Sequence, residues 1–356
     1  MSSNNRILLI TPGFPVDEND DITMAPVQGF LKNFLRQYRD YKFEIITLQY
    51  PFQKTIYEWN GCMVYSCGGR NRKFAGKLKT LYHANQFADH ILKEKSVKLI
   101  HSLWLSEAAL IGNRISKSRN MRHLVTLMGQ DVLRSNNYLK ILDLRKPEYV
   151  AVSPFQAQKF YESTALNANH IIPWGIDENE FHGPADKETS EMKYGTRFDI
   201  FGAGNLTSLK QYNIFVNVVR EIAKKKPTVT AAIAGDGPER PALEKMIHSY
   251  GIAQNITLPG RLPRHEVLKM MSQSKVFLHT SSYESQGYAC LEALAAGCNI
   301  VSFKTGIASS TKKWEIGTDI PDLAEAVTGF LDSGKNEPHI PYPVSATIKA
   351  YHDLYE

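Results

Sequence analysis

His279–Val301 reads HTSSYESQGYACLEALAAGCNIV. Val276–His279, where the stretch begins, is a short apolar run of the kind that fills a buried strand. Polar residues follow, then Glu284, then Gly287, then a helix-forming run that stops at Gly297, a residue suited to a left-handed helix cap. Strand, loop and helix in this order make the repeating unit of a parallel α/β sheet. The same stretch says where chemistry belongs. Backbone N–H groups around Gln286, Gly287 and Tyr288 stand at the helix start, where unpaired donors and the helix dipole attract anionic oxygens. Glu284 precedes the helix and Glu292 lies about one turn inside it, so each carboxylate adds acceptors for hydroxyl pairs. A ligand with phosphates between two hydroxylated rings suits this set of groups, which describes a nucleotide-sugar.

The alternation continues in both directions. Toward the C-terminus comes Asn299–Ser302, then a helix over Pro321–Asp332 and a last one over Val344–Tyr355. Upstream, the spacing predicts strands at Phe198–Phe201, Val229–Ala234 and Asn255–Leu258, with helices at Tyr212–Lys225, Pro241–Tyr250 and His265–Ser272 between them. A second series occupies the first half. Its strands are Arg6–Thr11, Phe43–Leu48, Met63–Ser66, Leu99–Leu103, His123–Leu127 and Tyr149–Val152, with helices such as Val27–Tyr38 and Thr80–Glu94. Between the two series, Pro173–Thr196 is rich in Pro, Gly and charge and reads as a linker. The 356 residues thus divide into two domains, as expected at roughly 150 residues each. The expected domains are 1–180, joined by the final helix over 343–356, and 197–337. The fold class is α/β, two doubly wound Rossmann-like domains facing an inter-domain cleft, with ligands at the carboxyl ends of the strands.

Composition narrows the function. No segment approaches the length of a membrane span and no secretory leader is recognisable, which predicts a cytoplasmic protein. Cys62, Cys67, Cys290 and Cys298 lack zinc-site spacing and read as ordinary thiols of a reducing compartment. Residues 1–180 hold 23 Lys+Arg against 17 Asp+Glu, and residues 181–356 hold 19 of each, so the net charge of +6 belongs to the first half. Much of it is in Arg70–Leu81, where Arg70, Arg72, Lys73, Lys77 and Lys79 meet no acidic residue and Phe74, Leu78 and Leu81 share one helical face. Such a segment predicts peripheral contact with the anionic inner face of a membrane. Nucleic acid is not expected, because no basic motif is interleaved with aromatics.

The run Glu284-Ser-Gln-Gly-Tyr-Ala-Cys-Leu-Glu292 resembles the E-x7-E signature of retaining glycosyltransferases of the glycogen-synthase-like GT4 family, in the GT-B fold. The likeness extends along nearly the whole chain. FGAGNLTSLKQYN (Phe201–Asn213) resembles the first strand and loop of the family's second domain, IAGDGPERPALE (Ile233–Glu244) its Gly-Asp-Gly-Pro loop, and LPGRLPRHEV (Leu258–Val267) the strand end near the base. IIPWGIDENEF (Ile171–Phe181) resembles the run that closes the first domain, and the final helix resembles the tail that crosses back to it. The resemblance implies that Glu284 and Lys210 are catalytic. Glu284 holds hydroxyls of the transferred sugar, and Lys210 neutralises the departing diphosphate. Glu292 takes the ribose diol. Gly204, Asn205, Gly235, Gly237, Arg261, Leu262, Gln286, Gly287 and Tyr288 complete the implied donor site. Neither a metal nor a cofactor is implied; the donor, of UDP or GDP type, is a substrate, and the acceptor is a glycan or a lipid-linked molecule.

Three departures from the family pattern stand out. Asn205 occupies the place of a phosphate-binding Arg and brings one neutral donor instead of a bidentate cation; Arg261 and Lys304 are the nearby candidates to replace it. Met128 stands in VTLMGQDVLR (Val125–Arg134) where a His is usual, although Gly129 and Asp131 remain. The loop after the first strand has Gly13 and Gly29 in place of a Gly-Gly pair. Gly13, His101, Gly129 and Asp131 are the candidate acceptor or donor contacts of the first domain. The missing Arg and His also define a second reading, a non-catalytic relative that binds a nucleotide or a partner protein.

Overall fold

The computed structural model describes residues 5–181, 198–333 and 337–356. Part of the linker expected over Pro173–Thr196 therefore lies outside the described residues. The chain forms two compact units, one of residues 1–175 with 344–356 and one of residues 176–343.

In the first unit the strands are β1 (Arg6–Gly13), β2 (Lys42–Tyr50), β3 (Lys54–Trp59), β4 (Cys62–Cys67), β5 (Leu99–Leu103), β6 (His123–Thr126), β7 (Glu148–Ala151) and β8 (His170–Ile171). They assemble in the order β3-β4-β2-β1-β5-β6-β7-β8, parallel throughout except for the antiparallel β3–β4 edge. The helices are α1 (Ala25–Gln37), α2 (Ala75–Glu94), α3 (Glu107–Arg119), α4 (Tyr138–Ile141) and α5 (Pro154–Thr164). Alternation along the strands supplies both faces: Leu8 and Ile10 pack with Ala84, Ile91, Ile111 and Ile115 from α2 and α3. Ser106 and Ser153 cap α3 and α5 through their hydroxyl oxygens, worth about 1 kcal/mol each.

The second unit has β9 (Ile200–Ala203), β10 (Ala231–Ala234), β11 (Ile256–Gly260), β12 (Val276–His279), β13 (Asn299–Ser302) and β14 (Trp314–Ile316). Its helices are α6 (Tyr212–Lys225), α7 (Arg240–Ser249), α8 (Arg264–Gln273), α9 (Tyr288–Ala295) and α10 (Ile320–Ser333). The all-parallel order is β11-β10-β9-β12-β13-β14. Strand residues alternate between two cores. Ile200, Ile233 and Leu278 meet α6, α7 and α10, while Phe201, Ala232 and Phe277 meet α8 and α9. The strand order reverses between β9 and β12, and ligands of such sheets bind where it does.

The last helix, α11 (Val344–Tyr355), belongs to the first unit. Phe30 of α1 lies 4.9 Å from the ring of Tyr351, and Phe34 lies 5.6 Å from that of Tyr355. Trp174 stacks on Tyr351 at 5.5 Å and 19°, so it serves packing.

Sequence and structure differ in places. No sign of β3, β8 or β14 is visible in the sequence. KTIYEW of β3 is a mostly exposed edge with no apolar run, and β8 and β14 have only two and three residues. Helix α2 begins at Ala75, not Thr80, and β9 begins at Ile200, two residues later than expected.

Candidate active site

Three strand ends of the second unit are laced together by backbone. Gly204 N–H donates to Ala234 O (2.9 Å), Leu206 N–H to Asp236 O (2.9 Å), and Gly235 N–H to Gly260 O (2.8 Å). Contact this close requires glycine. A Cβ on Gly235 would stand 1.9 Å from Gly204 O, and Gly235 has φ +146°. A Cβ on Gly237 would stand 2.4 Å from Leu206 O.

The loop after β9 is also tied to the loop after β12. Thr280 Oγ1 donates to Lys210 O (2.9 Å), and Ser282 N–H and Oγ both donate to Leu209 O (3.0 and 3.2 Å). These ties bring Lys210 and Glu284, 74 residues apart, into an ion pair of 2.5 Å from Nζ to Oε1. His279, at the end of β12, places Nε2 2.9 Å from the same oxygen. Burial alone would raise the Glu284 pKa. The hydrogen bond from His279, with the charge and hydrogen bond of Lys210, outweighs burial and holds the carboxyl far below the usual range. Glu284 is thus a carboxylate at neutral pH, sharing one oxygen between two donors.

Glu292 is held differently. Arg264, at the start of α8, donates to Glu292 Oε1 from Nε (3.1 Å) and Nη2 (2.6 Å). Nη2 also reaches Glu180 Oε2 at 2.9 Å. Burial raises the Glu292 pKa, and Arg264 opposes that rise. Gly287, with φ +88°, turns the chain into α9, and buried Gln286 accepts at its carbonyl oxygen from Ile307 N–H (2.9 Å). Tyr288 is partly buried at the first position of α9, and Leu262 packs against the core beneath α8 and α9. Asn205, Arg261 and Lys304 are exposed, just beyond the ends of β9, β11 and β13.

The structure thus joins Lys210 to Glu284 and stitches Gly204 to Gly235. It adds two residues that sequence reasoning missed, His279 and Arg264. Both stand inside the quoted motifs, where each reads only as part of a strand or helix.

Two of the first-unit candidates, His101 and Asp131, spend their polar atoms inside the unit. His101 is buried, with Nδ1 2.8 Å from Tyr355 Oη and Nε2 2.7 Å from Thr126 Oγ1, so both ring nitrogens are engaged within the unit. Burial pushes its pKa down to about 3, which keeps the ring neutral. Asp131 is buried and accepts from Leu105 N–H and Gly129 N–H at 2.8 Å each, closing the loop after β6 rather than presenting its carboxylate. Gly129 is half-buried in that loop, and Gly13 lies at an irregular end of β1 beside Tyr50.

Residues 186–337 match the family described as Glycosyl transferases group 1. The match lies within the second unit and takes in 152 of the 356 residues. Proteins similar to this chain include a subunit of the human phosphatidylinositol N-acetylglucosaminyltransferase, 24% identical over 75% of this chain and 56% of its own. The GtfA subunit of a Streptococcus pneumoniae UDP-N-acetylglucosamine–peptide N-acetylglucosaminyltransferase is 23% identical over 83% of this chain and 62% of its own. The chain therefore spans less than two thirds of these relatives' lengths. Alpha-monoglucosyldiacylglycerol synthase of Acholeplasma laidlawii is 34% identical, over 37% of this chain and 35% of its own. Among solved structures, Anabaena HepE in complex with UDP and glucose superposes with a TM-score of 0.68 at 16% identity, covering 98% of each chain. Sucrose-phosphate synthase of Thermosynechococcus elongatus gives 0.75 at 16% identity, also covering 98% of each. The fold is GT-B.

Proposed function

We propose that this chain is a retaining glycosyltransferase that moves a sugar from a UDP-linked donor to a glycan or lipid-linked acceptor. In this reading residues 197–337 bind the donor, and residues 1–180 with 343–356 form the acceptor side. The observation that carries it is the Lys210–Glu284 pair, set just beyond the ends of β9 and β12, where the strand order reverses. Glu284 accepts hydroxyls of the donor sugar. Lys210, next to it, meets the diphosphate; a fixed cation there favours the transition state, in which negative charge grows on the leaving group. Glu292, held by Arg264, takes the ribose diol, and the N-terminus of α9 with the glycine loops at 204, 235 and 237 lies along the phosphates. UDP is named because HepE was solved with UDP and glucose. The test is UDP release from UDP-glucose and UDP-N-acetylglucosamine. Wild-type protein releases UDP, and Glu284→Ala and Lys210→Ala each abolish release while the protein stays folded. Full turnover in both variants would refute the assignment.

In the same reading the acceptor side rests on the anionic inner face of a membrane, in the cytoplasm, through Arg70–Leu81. Support comes from exposure: Phe74 is 87% exposed, Leu78 68% and Tyr82 60%, beside the five basic residues of the segment. A cavity of about 800 Å³ opens beside them, lined by Arg72, Lys73, Phe74, Leu78 and Leu81 and by the ion pair of Lys77 with Glu107 (2.7 Å). Exposed apolar side chains beside Arg70, Arg72, Lys73 and Lys79 suit the boundary between acyl chains and anionic headgroups. Among the described residues no helix is long and apolar enough to cross a membrane.

A further inference from the structure

His279 closes β12 with its ring buried, nearly parallel to that of Phe277 (16°, centroids 6.0 Å apart). Its Nε2 is 2.9 Å from Glu284 Oε1, and Lys210 Nζ meets that same oxygen at 2.5 Å. An ionised carboxylate only accepts, so Nε2 carries the proton in this contact. Both donors converge on Oε1, so neither contact uses Oε2.

The two donors are not equivalent. Lys210 carries its charge on a flexible four-carbon stem and is partly exposed, and a diphosphate beside it competes for that charge. His279 is fixed by a buried strand and has no anionic ligand to serve. When Lys210 turns to phosphate, the imidazole is the clamp that stays.

We propose that His279 is a positioning residue for sugar transfer, which fixes Glu284 through Oε1 and so presents Oε2 to a hydroxyl of the donor sugar. This rests on reading Glu284 as the sugar-binding carboxylate.

The test compares wild type, His279→Leu and His279→Gln. In each, UDP affinity is measured by calorimetry, the melting temperature by scanning, and kcat and KM from UDP release with UDP-glucose and UDP-N-acetylglucosamine. His279→Leu is expected to lower kcat by on the order of 10- to 100-fold, the scale of a misplaced reacting group. UDP affinity and melting temperature change little. In His279→Gln the amide nitrogen reaches the same oxygen and restores most of kcat. An unchanged kcat in His279→Leu overturns the proposal. So does equal loss in both variants together with weakened UDP binding, which would mark His279 as packing only. A further measurement needs neither turnover nor a folded Leu variant: the imidazole nitrogen spectrum of the wild type. It should show the Nε2–H form of His279 and shift in Glu284→Gln, whereas an Nδ1–H form, or no shift, overturns the proposal. If the wild type neither releases nor binds UDP, the glycosyltransferase reading itself fails, an outcome distinct from wild-type turnover that His279→Leu leaves intact.

Discussion

Arg264 donates from both Nε and Nη2 to a single oxygen of Glu292, at 3.1 and 2.6 Å. The pair is mostly buried, with 15% and 12% of the two side chains exposed. Removing one partner of a buried pair strands the other charge, at a cost of about 3–5 kcal/mol. Arg264→Leu is therefore expected to lose that much stability in urea unfolding. The double variant Arg264→Leu with Glu292→Gln recovers at least half of it, because the carboxylate that remains, Glu180, is one-third exposed and keeps its contact with water. UDP affinity is not recovered in the double variant, since the ribose contact proposed for Glu292 is gone. Additive losses in the double variant would contradict the pairing.

The glycine loops give a sharper steric prediction. Gly235→Ala forces a Cβ to 1.9 Å from a backbone oxygen at φ +146°, so the β9 and β10 loops must separate. UDP binding should fall by at least about tenfold, the loss of one good contact to an anionic ligand. Gly251→Ala is the control: its φ is +66° but nothing lies within 4 Å of the added carbon, so it carries only the left-handed backbone penalty of about 1–2 kcal/mol. Equal effects of the two substitutions on UDP affinity would show that the loop contact does not shape the site.

Stability of the first unit should fall on mild acidification. Burial lowers the pKa of His101 and of His123 from 6.5 to about 3 in the folded protein. Between those values the unfolded chain binds more protons than the folded one, so folding weakens as pH falls from about 6.5 and the loss levels off near 3. Each ring contributes up to about 1.4 kcal/mol per pH unit in that window. Urea midpoints at pH 7 and pH 5 check this, and His123→Asn should remove one share of the slope. A pH-independent midpoint for the first unit would contradict it.

Membrane docking is separable from donor binding. Phe74→Ser with Leu78→Ser should abolish flotation with vesicles of anionic phospholipid and leave UDP affinity unchanged. Flotation of the wild type should weaken at high salt. Equal flotation of the variant, or wild-type binding to neutral vesicles alone, would count against Arg70–Leu81 as the docking face.

The second unit was largely legible in the chain because its strands are short, fully buried runs separated by amphipathic helices. The doubly wound pattern follows from that alternation, and the glycines at 204, 235 and 287 mark turns that only glycine makes cheaply. What the sequence hid was lateral. Edge strand β3 carries no burial signal, and β8 and β14 are shorter than any periodicity can reveal. Spacing likewise could not show that Arg264 lies against Glu292, because that pair forms only when two separate helices are brought side by side, or that His279 meets Glu284 five residues on, because no periodicity describes the path of the loop between them. His101 and Asp131 stood in suggestive loops and strand ends, yet each spends its polar atoms on its own unit. Sequence position alone could not distinguish a polar group presented to a ligand from one satisfied inside.

The central claim is that the loops after β9 and β12 hold a nucleoside diphosphate between Lys210 and the start of α9. Calorimetric titration of UDP, with GDP and ADP alongside, into wild type and Lys210→Ala tests it most directly. The account predicts saturable one-to-one binding of UDP by the wild type, weakened about tenfold or more when the lysine charge is removed. No heat from any of the three nucleotides at millimolar concentration, or equal affinity in both proteins, would contradict it.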